Sequence, residues 1–397
     1  MDGLKQFLNA TTQQALKVRV GGYLDKETDE AQLIERLKAR YGIEQVYRFD
    51  IGKNCDGFSP LIRELLNYVD MGELAVSKLD EYPDNHYRML KKKLSELYGV
   101  HPDWFLLGTG LDAIIDLVAR AFLVDGDHYL LPVPNFNLYE EYASRLGAIA
   151  VQVQLKEEDQ YRWTADTTTA LIAQLAAGPR LLWISNPVNP TGQLIPQEEL
   201  LPLLDAAKKQ GCCVVVDEAY GEYTDQDDRV VSCARYAGEY PNLMVLRTFS
   251  KIYGLPSIRV GYLICSSADI RTGLQVYCPY FPVTWFSLYL AQMAFVDQDY
   301  VNDSRRINRM RRDTLQEGFR GMSVFRCLSS DTNTLMVRHA GLTGSKLSDA
   351  FASHGILTAD LGNMTGLNGR GYHRITVRNE ADNTYLLNVC RELHSDY

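Results

Sequence analysis

The sequence predicts an α/β fold: a mostly parallel sheet covered by helices, followed by a smaller α+β unit. Three observations carry this. Short apolar runs end in polar or turn residues, as in Tyr129-Leu-Leu-Pro, Arg180-Leu-Leu-Trp-Ile-Ser and Cys213-Val-Val-Val-Asp. Such runs suit strands buried on both faces, which is the situation inside a parallel sheet. Helix-patterned stretches lie between them, at Leu111 to Ala121, Tyr139 to Leu146 and Glu198 to Lys209. Strands alternating with helices build parallel crossovers. The pattern then changes near Phe286, where a long helical stretch through Arg312 leads to shorter runs at Thr334-Leu-Met-Val-Arg and His373-Arg-Ile-Thr-Val.

Residues 1–45 are polar and helical only in pieces, as from Glu30 to Lys38, and read as an N-terminal arm. Residues 46–290 carry the alternating pattern of the large unit, and residues 291–397 the smaller one. No internal repeat or low-complexity linker interrupts them. With 46% hydrophobic and 23% charged residues, the 397-residue chain has the composition of a globular protein with a large core.

The net charge of −9 argues against a nucleic acid partner, because phosphate binding wants a basic face. The one basic run, Arg305 to Arg312, is interleaved with Ile307, Asn308 and Met310 and reads as the solvated face of a helix. Eight cysteines occur without a CxxC pair. They read as buried free thiols of a reducing compartment, and no metal site is expected. Met1 to Leu8 includes Asp2, Lys5 and Gln6 and lacks the apolar core of a signal peptide. No apolar run approaches the ~20 residues of a membrane span. A cytoplasmic protein without a membrane partner is expected.

In open α/β sheets ligands gather at the carboxyl ends of strands. The polar residues that end the apolar runs are Asn186 to Gly192, Asp217 to Tyr220, and Arg247 to Lys251. Taken singly, an Asp there is a helix cap and a Lys a surface residue. Together they form a set: an acid after three valines, a lysine preceded by a hydroxyl, and Arg259 eight positions later. A cofactor with a pyridinium ring, an aldehyde and a phosphate would use these groups. Asp217 would keep the ring nitrogen protonated, Lys251 would bond the aldehyde and later move protons, and Ser250 with Arg259 would hold the phosphate.

The ordered strings Asn186-Pro-Val-Asn-Pro-Thr-Gly, Asp217-Glu-Ala-Tyr and Ser250-Lys251, with Arg259, resemble the fold-type I pyridoxal-phosphate (PLP) aminotransferases. The likeness is strongest to the histidinol-phosphate aminotransferases and runs from about Arg48 to the C-terminus. The resemblance implies the type I transferase fold, with a seven-stranded sheet. It implies a catalytic set of Lys251 as the Schiff-base lysine, Asp217 on the pyridine nitrogen, and Tyr220, which with Asn189 holds the phenolic oxygen. Ser250 and Arg259 match phosphate ligands, with Thr248 close by, and the backbone of Gly110, Leu111 and Asp112 matches the helix start facing the phosphate. Phe136 matches the ring that stacks on the pyridine. Tyr82 matches a tyrosine reaching the phosphate from a neighbouring subunit, which implies a homodimer with shared sites. Arg374 matches the fork that grips the substrate α-carboxylate.

The departures lie on the substrate side. Where histidinol-phosphate enzymes carry Gly-Ile-x-x-Arg, this chain has Gly355-Ile-Leu-Thr-Ala, so Ala359 stands for the arginine that helps bind the substrate phosphate. The family's Asn-Glu-Asn-Pro reads Gly52-Lys-Asn-Cys, which keeps Asn54 and puts Lys53 at the acid. Asn54 and, from the arm, Tyr23 are candidate substrate contacts, and Tyr280 is a candidate for the pocket wall. The expected activity is transfer of an amino group from an amino acid or related amine, other than histidinol phosphate, to a 2-oxo acid. An intact Arg374 favours a reaction that keeps the carboxylate bound. A decarboxylase, a lyase or an O₂-dependent oxidase on the same scaffold stays open. A non-catalytic sensory module is disfavoured by the missing DNA-binding extension.

Overall fold

The computed structural model describes residues 8–18, 29–68, 80–224 and 232–395. In chain order the first strands are β1 (Tyr47–Arg48), β2 (Phe105–Gly108), β3 (His128–Val133), β4 (Ile149–Gln154), β5 (Leu181–Ser185), β6 (Cys213–Asp217), β7 (Leu243–Thr248) and β8 (Gly261–Ile264). Seven of them form one sheet in the order β2-β8-β7-β6-β5-β3-β4. β8 runs antiparallel to β2 and β7, and every other pairing is parallel. The expected α/β architecture with a mostly parallel seven-stranded sheet is therefore present.

Alternate residues of a strand point to opposite faces. Leu182, Ile184, Val214, Val216 and Val245 pack into one apolar cluster, while Leu181, Trp183, Val215, Met244 and Leu246 pack into another. Both faces are covered, which is why these strands read as unbroken apolar runs rather than as alternating ones. The helices Gly110–Phe122 and Asn137–Arg145 contribute to one of these clusters, and Ala165–Leu175 and Gln197–Gln210 to the other.

The remaining strands are β9 (Phe325–Cys327), β10 (Thr334–His339), β11 (Ile356–Leu357), β12 (Ala359–Asp360) and β13 (Tyr372–Thr376). An antiparallel sheet runs β12-β13-β10-β9, and β1 pairs in parallel with β11. A third apolar cluster joins Phe49 to Leu315, Phe319, Val337, Ile375 and Leu386. The segment after the arm thus packs with the C-terminal sheet. The arm helix Glu30–Tyr41 leans the same way: Tyr41 donates to Asp349 at 3.1 Å, and Arg48 pairs with Glu30 at 3.2 Å.

Two expectations need correction. The helical stretch from Phe286 to Arg312 is two helices, Trp285–Val296 and Gln298–Arg320, broken at Asp297, whose carboxylate caps the second by accepting from the Tyr300 N–H. The basic run is not simply a solvated face. Arg312 and Asn308 are buried, and Arg305 donates to the Glu222 carbonyl at 2.7 Å. Among the described residues no helix is long and apolar enough to cross a membrane.

Glu157, in the loop after β4, ties the two sheets together. Its carboxylate accepts from Arg338 at 2.7 Å, from Tyr372 at 3.0 Å and from Arg370, and its carbonyl accepts from Arg326. Burial works against the charge, but the Tyr372 hydroxyl and the Arg370 and Arg338 guanidinium groups outweigh it and hold the carboxyl below its usual range. A depressed carboxylate contributes stability above its unfolded pKa, about 4.3, and loses it as pH falls through the folded value. Glu157→Gln should lower unfolding free energy at pH 7 by about 1–2 kcal/mol. Urea melts should show that deficit shrinking below about pH 4. An undiminished difference at low pH would contradict the charge-based account.

Candidate active site

A cavity of about 230 Å³ opens where β5, β6 and β7 end. These three strands are parallel, so their polar last residues share one edge of the sheet. The wall includes Ser185 at the end of β5 with Asn189 beyond it, Asp217 at the end of β6 with Ala219 and Tyr220 beyond it, and Thr248 at the end of β7 with Ser250 and Lys251 beyond it.

Asp217 is 5% exposed at the floor. Its Oδ2 accepts from the Tyr139 hydroxyl at 2.7 Å and its Oδ1 from the Ala219 N–H at 2.9 Å. Burial pushes its pKa up, against those two hydrogen bonds and the charges of Lys251 and Arg247. A carboxylate oxygen has two lone pairs, so each retains capacity for one more donor. Tyr139 itself is locked, with its ring stacked on Trp183 at 5.0 Å.

Lys251 places its Nζ 4.9 Å from the centre of the Tyr220 ring and hydrogen-bonds the phenol. Burial alone would resist ionisation of Tyr220, but the Lys251 and Arg374 cations outweigh it and lower its pKa. Asn189 stands on the same side. Its amide oxygen accepts from Arg374 at 3.2 Å, and its N–H donates to Ser185 at 3.0 Å.

At the far end lies the N-terminus of helix Gly110–Phe122, with Leu111 and Asp112 in the wall. Thr109 supplies no side-chain cap; its hydroxyl donates instead to the Pro282 carbonyl at 2.6 Å. First-turn N–H groups without a side-chain cap suit an anion. Thr248 and Ser250 hydrogen-bond one another at 3.1 Å beside it. Arg259 adopts a left-handed backbone, φ 52°, and donates to the Pro256 carbonyl. Gly110, at φ 78°, faces it, and a Cβ there would strike the guanidinium. Glycine therefore lets the arginine close on the helix start. Phe136, Leu138, Pro187 and Ile51 complete the walls. An acid with spare acceptors, a neighbouring lysine, a phenol between cations and a cationic cradle at a helix start fit PLP group by group.

Arg374 is buried on β13, outside the wall itself, and reaches it through Asn189. It also donates to the Asp50 carbonyl at 2.9 Å. Ala359 lies directly across the ladder from it. Asn54 does not line the cavity. Its amide nitrogen is within hydrogen-bond distance of the Ile252 carbonyl, the Tyr300 hydroxyl and the Ser304 hydroxyl, at 2.8, 3.1 and 3.3 Å. Tyr82 is 82% exposed, stacks on Phe281 and is not part of the cavity wall. Tyr280 is likewise on the surface, and Tyr23 lies outside the described residues. Sequence reading missed Tyr139, Leu138 and Ser185. Tyr139 had a signal, since residues three apart at a helix start share a face and Phe136 had been singled out.

The profile of the family described as Aminotransferase class I and II matches residues 44–389. A histidinol-phosphate aminotransferase of Shouchella clausii is 33% identical over 365 residues, covering 91% of this chain and 92% of its own length. The crystal structure of the histidinol-phosphate aminotransferase from Clostridium acetobutylicum superposes with a TM-score of 0.79 at 24% identity, covering 89% of this chain and all of that one. The Sinorhizobium meliloti histidinol-phosphate aminotransferase, solved in complex with PLP, gives 0.78 at 21% identity, covering 97% and 99%.

Proposed function

This chain belongs to the class I and II aminotransferases, PLP enzymes, and we propose that it moves an amino group from an α-amino acid to a 2-oxo acid. The observation that carries the proposal is one cavity holding Lys251, Asp217 and Tyr220, with an anion cradle at one end and Arg374 behind the other. PLP supplies an aldehyde that takes the amino group and a protonated ring that withdraws electrons from the substrate Cα.

The geometry supports the following roles for the protein's own groups. Asp217 holds a proton on the ring nitrogen through its remaining lone pairs. Lys251 would anchor the aldehyde end, and its amine, when free, is the base placed to take the Cα proton. Tyr220 and Asn189 hold the ring oxygen, and the lowered phenol pKa matches a group placed to share a proton with Lys251. Phe136 would stack on the ring, and Ser250, Arg259 and the N–H groups of Gly110, Leu111 and Asp112 would take the phosphate, with Thr248 orienting Ser250. Arg374, oriented by Asn189 and the Asp50 carbonyl, clamps the α-carboxylate as a planar fork.

Histidinol phosphate is not the substrate in this reading. The position across the ladder from Arg374 is a buried alanine, so no second guanidinium stands there for a phosphate ester. The active unit is a homodimer: Tyr82 stacks on Phe281 at an exposed site, Tyr280 and Val276 are exposed as well, and Tyr82 would complete the partner's phosphate site. Eight free cysteines fit a reducing, cytoplasmic setting.

The test is a screen of the holoenzyme with ¹⁵N-labelled amino acids and 2-oxo acids. Label should pass to the acceptor, with a matching change in cofactor absorbance. Release of CO₂, ammonia or peroxide without an acceptor would replace the proposal with a lyase, decarboxylase or oxidase.

A further inference from the structure

Asn189 and Arg374 meet at the cavity but belong to different units. Asn189 follows β5 of the large sheet, and Arg374 lies on β13 of the smaller one. Their side chains touch at 3.2 Å. A guanidinium that presents a planar fork must stay in register with the wall it serves, since a displacement of about 1 Å can cost about a hundredfold. A single contact fixes one distance and no angle.

A second contact joins the same two elements through their backbones. The loop between β9 and β10 presents Asp331 to the loop after β5. The Asp331 N–H donates to the Gly192 carbonyl at 2.7 Å, and the Asp331 carboxylate accepts from the Leu194 N–H at 2.8 Å. Ser330 donates to the same Gly192 carbonyl at 3.3 Å. Gly192 has φ 75°, and a Cβ on it would strike the Ser330 hydroxyl, so glycine permits this approach.

Both partners are braced behind the contact. On the β5 side the Gly192 N–H donates to the Val188 carbonyl at 2.6 Å, the Val188 N–H to the Gln193 carbonyl at 2.8 Å, and the Asn189 N–H to Ser185 at 3.0 Å. On the β10 side the hydroxyls of Ser330, Thr332 and Thr334 form a buried chain with steps of 3.2 Å. Asn308 donates to the Thr332 carbonyl at 3.2 Å, and the Val377 N–H to the Asn333 carbonyl at 2.7 Å. β10 in turn pairs with β13, with Met336 opposite Arg374. A path of hydrogen-bonded backbone thus runs from the Asn189 loop through Asp331 to the strand beside Arg374.

We propose that Asp331 is a positioning residue for the α-carboxylate: it sets the register between Asn189 and Arg374 while lying outside the cavity wall itself. The inference rests on the placement of the α-carboxylate at Arg374. Glu157 also joins the two sheets, through Arg338, Arg370 and Tyr372, but none of these lines the cavity. Its removal therefore separates a specific clasp from general cohesion of the two units.

The test uses the holoenzyme and propionate, a carboxylate without an amine to react, titrated against the absorbance of the bound cofactor. Asp331→Ala should weaken propionate binding by about tenfold, the scale of one lost hydrogen bond, while PLP affinity stays within about twofold. Asp331→Asn, whose amide oxygen can still accept from the Leu194 N–H, should restore most of the propionate affinity. Glu157→Gln should bind propionate within about twofold of wild type. If Asp331→Ala does not fold, Ser330→Ala takes its place, with an expected loss of about threefold. Unchanged propionate affinity in the variant measured, or an equal loss in Glu157→Gln, overturns the inference. Arg374→Met tells two failures apart. Propionate affinity that survives it sinks the placement of the carboxylate and the inference with it, whereas an Arg374-dependent affinity indifferent to Asp331 sinks the inference alone.

Discussion

Lys251→Ala should reduce amino transfer by at least about ten-thousandfold, because in the proposed reaction one side chain has two duties in sequence. The first is to anchor the cofactor covalently. Borohydride reduction of wild type followed by digestion should leave the cofactor on the peptide containing Lys251, and the variant should carry none. The second is to take the Cα proton, and the cavity offers little to replace it. Tyr220 is the nearest candidate, since its phenol hydrogen-bonds Lys251. Yet its lowered pKa depends on the Lys251 charge as the largest influence opposing burial. Removing the lysine therefore also raises the phenol pKa and disables the substitute. An adduct persisting in the variant, or a loss smaller than about a hundredfold, would place the anchor and base elsewhere.

What the sequence revealed of this site follows from what a linear pattern encodes. Asp217 and Thr248 end runs of buried apolar residues, and Lys251 follows three positions after Thr248. In a parallel sheet all such ends face one edge, so adjacency in space followed from local pattern alone. β2 and β8 were not legible as a pair. Their antiparallel contact joins residues far apart in the chain, and nothing local to either records the other. Asn54 lies outside the cavity wall, and the sequence could not show this for a related reason. An asparagine in a cavity and one pinning a carbonyl to a helix look identical in sequence, and only the Ile252, Tyr300 and Ser304 contacts separate them. The basic run failed on the same ground: burial of Arg312 is decided by what packs against the helix.

Asp217→Asn should separate the charge of the floor from its shape. The amide is nearly isosteric: its oxygen can keep accepting from the Ala219 N–H, and its NH2 can donate to the Tyr139 hydroxyl oxygen, which accepts as well as donates. What disappears is the negative charge that, in the proposed reading, keeps the ring nitrogen protonated. Activity should fall by at least about a hundredfold, the scale of losing one preorganised electrostatic contact. Cofactor affinity should fall by about tenfold or more, as for a lost charge-assisted hydrogen bond. Stability without cofactor should move the other way. Burial raises the Asp217 pKa, with the Tyr139 and Ala219 hydrogen bonds and nearby cations only moderating it. A carboxyl with a raised folded pKa favours the native state below its unfolded pKa, about 3.9, and that contribution is lost as pH rises through the folded value. Above that point the wild-type apoprotein carries a buried charge without its partner, and the asparagine variant does not. The variant should therefore melt at the same temperature as wild type or higher without cofactor, and lower with it. The apoprotein difference should widen as pH rises through the Asp217 titration. Thermal melts of both proteins, with and without PLP across that range, measure both signs. A variant destabilised equally in both states would make Asp217 a packing residue and deny it the ring nitrogen.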